Sequence, residues 1–96
     1  MCTNVTEKAD IFGAAKGPEG WFSVDTAVVY FDHPFTAPLD HSLNIDFVNE
    51  SEGRPTRVAI EISADSARAL AMRILSVVDN PDSLAVQSDQ EKLVRV

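Results

Sequence analysis

AVVYFDHPFTAPLDHSLNIDFV, residues 27–48, carries more of the architecture than any other stretch of the chain. Ala27, Val29, Phe31 and His33 alternate with Val28, Tyr30 and Asp32; beyond the loop PFTAPLD, Leu43, Ile45 and Phe47 alternate with Ser42, Asn44 and Asp46. A period of two marks half-buried strands. Pro34 ends the first of them, because it has no backbone N–H to give to a ladder. With His33 set opposite His41, Phe31 meets Leu43, Val29 meets Ile45 and Ala27 meets Phe47. That hairpin register is strongly specified, since a slip of one residue would send the two apolar rows to opposite faces.

Outward from the hairpin, Trp21 to His33 reads as one long strand, and Cys2 to Lys8 as an edge strand with β-branched residues at alternate places. GAAKGPEG lies between them and reads as a turn-rich loop. Asn49 to Pro55 is a second turn, and Arg57 to Ile62 a further strand with Val58, Ile60 and Ile62 on one side. Ser63 is a helix N-cap with Asp65 in the first turn. Ala67, Leu70, Ala71, Ile74, Leu75 and Val78 then form one helical stripe over residues 64–78. Asn80-Pro81 stops that helix. The expected fold is α+β: an antiparallel sheet of three to four strands packed by one C-terminal amphipathic helix. Residues 1–79 form the domain and residues 80–96 a loose polar tail. Phe12, Trp21, Phe22, Phe31 and Phe35 supply bulk for the core or for an interface.

The chain has 96 residues, 15 acidic against 8 basic, and a net charge of −7. That balance repels phosphate backbones, so nucleic acid is not an expected partner. No apolar run approaches the ~20 residues that cross a bilayer, and no leader is visible, so a cytoplasmic protein without membrane contact is expected. One cysteine excludes an internal disulfide framework. The triplets at Asn4 and Asn49 are read as chance glycosylation-like matches. A domain this small has a thin stability margin, which makes a homodimer an expected state.

The chemistry rests on Cys2, His33 and His41. Directly opposed strand residues have Cβ atoms roughly 4.5–5.5 Å apart, a separation at which two imidazoles can share a metal ion. Loss of Met1 would leave Cys2 as the N-terminus, offering thiolate and amine together. Thiolate with imidazole suits zinc or copper, and three protein ligands with an open position is a catalytic pattern. Asp40 can orient an imidazole from outside the ligand set. Asp32 points to the opposite face and is expected in solvent; Asp46 and Glu61 are expected in solvent or paired with Arg57. Lys16 lacks the GK[ST] ending of a phosphate loop. A metal-free thiol–imidazole site and plain structural roles for all three residues remain open.

With MCTNVTEK, GAAKGPEGWF, VYFDHP, APLDHSLNIDFVN and RVAIEISADSARAL in view, the chain resembles an uncharacterised family of short actinobacterial proteins. The resemblance runs from Met1 to about Leu75 and includes Cys2, Lys16, Gly17, Gly20, Trp21, Asp32, His33, Pro34, His41 and Asp46. Ala14 stands where that pattern has serine. It implies a fold-sized bacterial cytoplasmic unit and no mechanism. Two functions emerge as expectations. One is a small metal-binding protein, or a metalloenzyme acting on a small molecule, through Cys2, His33 and His41. The other is a metal-free dimeric module that binds a partner or small ligand by Trp21, Phe22 and Phe35.

Overall fold

The computed structural model describes residues 5–52 and 56–86. Their order is β1 (Thr6–Gly17), β2 (Gly20–Asp32), β3 (Ser42–Val48), β4 (Arg57–Ile62) and α1 (Ala64–Val78). A second helix comes next, described over residues 81–86. The strands form an antiparallel meander, β1-β2-β3-β4. The fold is therefore α+β, and the chain divides into two compact units, Met1–Ala64 and Asp65–Val96. No helix among the described residues is long and apolar enough to cross a membrane.

β2 and β3 pair in the register that the alternation demands, with Phe31 on Leu43, Val29 on Ile45 and Ala27 on Phe47. β4 extends each row by one apolar residue: Leu43 faces Ile62, Ile45 faces Ile60 and Phe47 faces Val58. One face of the sheet thus carries three rows of three apolar side chains. The other face carries Tyr30, Asn44 and Glu61 in one row and Val28, Asp46 and Ala59 in the next. Val24 and Ala27 are buried, together with the polar residues Thr26, Ser42, Asn44 and Asn49. Buried polar groups need partners. Thr26 Oγ1 lies 2.9 Å from Asp25 Oδ1, and Asn49 Nδ2 donates to the Ser23 carbonyl at 3.0 Å.

β1 corrects the expected strand map. It does not stop at Lys8 but runs through GAAKG to Gly17, leaving only Pro18-Glu19 as the turn. Gly20 closes that turn at φ 112°, a conformation L side chains avoid. A bulge between Asp10 and Gly13 sets Ile11 and Phe12 against β2 without partners of their own in the ladder. Glycines that read as a loop are in fact strand residues, tolerated because this strand lies at the sheet edge. The expected strand positions Cys2 to Asn4 lie outside the described residues.

The aromatic residues expected to complete the core divide. Phe22 and Phe31 are half-buried, but Phe12 is 96% exposed, Trp21 72% and Phe35 91%. A bulge, a hairpin tip and a loop carry these three.

In the second unit, α1 spans the residues its periodicity requires, and Asp65 pairs with Arg68 at 2.9 Å in the first turn. None of its residues is buried. The tail is not wholly loose. Asn80 Oδ1 accepts the Asp82 N–H at 2.9 Å and Pro81 comes directly after the cap, so the pair that ends α1 also starts the next helix. Residues 87–96 lie outside the described part.

Candidate metal centre

The last ladder pair of the β2–β3 hairpin is Asp32 with Ser42, so His33 and His41 stand one step beyond it. Pro34 ends β2 immediately after His33, and the Asp32 carboxylate caps the exit by accepting the His33 N–H at 2.7 Å. Asp32 therefore caps the strand and is not simply solvated. Beneath the corner, Ser42 is fully buried, its Oγ donating to Asn44 Oδ1 at 2.6 Å. This bonded pair lies on the sheet face opposite the two histidines.

At the corner the two imidazoles come together. Their ring centroids lie 4.4 Å apart with a 33° tilt. His41 also stacks on Phe31 at 5.7 Å, the two rings within 12° of parallel. Asp40 touches both histidines: its carbonyl lies 3.0 Å from His33 Nδ1 and its carboxylate Oδ2 2.9 Å from His41 Nδ1. One ligand-type atom from each of His33, Asp40 and His41 lies within 4.8 Å of the others. When each Nδ1 carries the proton and gives it to Asp40, the lone pair rests on Nε2, the tautomer that a second partner imposes on a metal-bound histidine. His33 and Asp40 are exposed and His41 half-buried, so the corner is open to ions from solvent.

Cys2, the third expected ligand, lies outside the described residues. The described chain begins at the same end of the sheet, where the Val5 carbonyl accepts the Phe31 N–H at 3.4 Å. Trp21, Phe22 and Phe35 do not form one cluster. Trp21 and Phe22 are neighbours on β2 and so point to opposite faces, and Phe35 belongs to the β2–β3 loop.

A model of a family of unknown function, DUF6295, matches residues 1–88. The chain belongs to this family. The match extends past Leu75 and takes in the described part of the second helix. No curated protein and no solved structure matches the chain significantly.

Within this family member, the side chain that shapes the site most is one the alternation pattern does not single out. Glu61 on β4 accepts the backbone N–H groups of Phe35, Thr36 and Ala37, the latter two at 2.9 and 3.1 Å. Those three bonds hold its carboxyl below the ordinary value of 4.5. They also anchor the loop that carries Asp40. Asp25 does the same for the β3–β4 turn, accepting the Ser51 hydroxyl and the N–H groups of Glu50 and Ser51. The Ser51 hydroxyl, then the Glu50 N–H, hold it well below the usual carboxylate range. A lone acidic residue on a strand carries no mark of which distant N–H groups it will meet. Asp46 does pair with Arg57, at 3.3 Å.

Proposed function

We propose that this protein binds a transition metal ion, zinc or copper, at the corner formed by His33 and His41. The observation that carries the reading is the pair of imidazole rings, 4.4 Å apart and each oriented by Asp40. Imidazole nitrogen is a good ligand for either ion. Asp40 serves as the orienting acceptor for both rings. Cys2 supplies a third, sulfur ligand. A fourth position then remains for water or a small molecule, the condition for catalysis or for metal handling. The protein is proposed to work in the cytoplasm, where a free thiol persists.

The test uses untagged protein. Intact mass establishes whether Met1 is removed, and metal analysis after exposure to one equivalent of zinc or copper measures ions per chain. One ion per chain is expected, lost in His33→Ala and in His41→Ala and weakened in Cys2→Ser. Binding that survives both histidine substitutions contradicts the proposal.

A second reading has an observation of its own. The apolar stripe of α1 is exposed along Leu70, Ile74, Leu75 and Val78. A 15-residue helix is marginal in water without tertiary packing. We therefore propose that this stripe is covered by a second copy of the chain and that the working unit is a homodimer. Light scattering should then give twice the chain mass for the native protein and the single-chain mass for Leu75→Glu. A native protein of single-chain mass contradicts the dimer.

A further inference from the structure

The sheet face that carries Tyr30, Asn44 and Asp46 opens into a groove of about 510 Å³, walled further by Phe35, Ala37 and Arg57. Most polar groups in it are already engaged. Glu61 is taken up by three backbone N–H groups. The Tyr30 hydroxyl and Arg57 Nη1 both donate to the same oxygen, Asp46 Oδ2, at 3.4 and 3.3 Å. Burial and the Asp46 charge raise the Tyr30 pKa, so its phenol stays a donor.

Two groups are left over. Asp46 Oδ1 has no hydrogen-bond partner among the described residues, and neither has Asn44 Nδ2, whose own Oδ1 accepts from Ser42. Asn44 is only 3% exposed. Yet no side-chain nitrogen or oxygen sealed beneath the described surface lacks a partner. The Asn44 NH₂ therefore reaches the groove as an unpaired donor on an otherwise buried side chain. A donor in that position is available to a ligand that enters the groove.

The two groups are complementary in sign. Asn44 and Asp46 are two residues apart on β3, so they share a face at ~6.7 Å spacing. One offers N–H and the other a carboxylate oxygen, and the Arg57 guanidinium beside Asp46 retains further donors. A ligand that satisfies all three must present a cation and an anion close together, with an apolar part for the Phe35 and Ala37 wall.

We propose that this groove binds a free α-amino acid with an apolar side chain. Its ammonium group rests on Asp46, its carboxylate is shared by Asn44 Nδ2 and Arg57, and its side chain lies against Phe35 and Ala37. Neither His33 nor His41 lines the groove.

Calorimetry on the full chain with L-phenylalanine, phenethylamine and 3-phenylpropionate tests this, since the last two lack the carboxylate and the ammonium respectively. Phenylalanine is expected to bind at least about tenfold tighter than either half-ligand, about 1.4 kcal/mol. Asp46→Asn, close in shape, should erase the advantage of phenylalanine over 3-phenylpropionate. Arg57→Gln, at an exposed site, should weaken phenylalanine and 3-phenylpropionate but not phenethylamine; it carries the test should Asp46→Asn fail to fold. Absence of saturable phenylalanine binding, equal binding of the three probes, or retained discrimination in folded Asp46→Asn would overturn the proposal.

Discussion

The two hairpins that share β2 are held together by different means. Backbone geometry closes the β1–β2 hairpin: a Pro18-Glu19 turn, Gly20 at positive φ and a bulge that leaves Phe12 outside. Side chains close the β2–β3 hairpin: Asp32 on a backbone N–H, Asp40 on two imidazoles, and Glu61 reaching from β4 to three loop amides. That contrast locates where chemistry can reside. A loop fixed by side-chain acceptors can hold imidazoles at a set separation, because their positions do not depend on a flexible backbone. A hairpin tip closed by glycine and proline needs no such network, and its exposed Trp21 and Phe12 organise nothing within the sheet unit.

Substitutions that separate the two hairpins should rank accordingly. The largest effect is expected from Ala27→Asp, which puts a carboxylate on a buried position of the β2–β3 apolar rows. A buried unpaired charge is among the few changes that cost more than about 4 kcal/mol, so circular dichroism should show an unfolded or barely folded protein. Next is Gly20→Ala, which forces a Cβ into positive φ at the other hairpin and should cost about 1–2 kcal/mol in a denaturant titration. Phe12→Ser, at a side chain almost wholly in solvent, should stay within about 0.5 kcal/mol. A large loss there would mean that the bulge is covered by a partner.

Acid distinguishes the hairpins in another way. The folded-state pKa of Glu61 is depressed, so its contribution is fully present above its ordinary value of 4.5 and is lost as pH falls below it, through the lowered value. Hydrogen exchange at Phe35, Thr36 and Ala37 should therefore rise in that window, relative to the intrinsic rate, while amides of the β1–β2 turn keep their protection. Glu61→Gln should loosen the same three amides already at neutral pH. Equal loss of protection in both hairpins would erase the distinction.

Legibility in the residue order divides along the same line. The β2–β3 register was legible because alternation over seven or more residues admits one register, β4 as a strand because Val58, Ile60 and Ile62 alternate, and α1 because its stripe has the helical period. The meeting of His33 with His41 is a direct consequence of that register. Of β1 only the start, through Lys8, was legible as an edge strand; the rest was not, because its glycines carry the mark of a loop. Asn80-Pro81 read as a stop because a proline disfavours helix before it, while its second meaning, cap and first residue of the next helix, depends on the residues after it. The anchoring by Glu61 and Asp25 was hidden too, since neither carboxylate is near its backbone donors in the chain.

The most direct test of the metal reading is a zinc titration of the native-terminus protein, monitoring the ring protons of His33 and His41 by NMR. Both rings should shift together and saturate at one ion per chain, and Asp40→Ala should weaken that response without unfolding the hairpin. Two rings that respond independently, or that stay unmoved through several equivalents of zinc, would contradict the account.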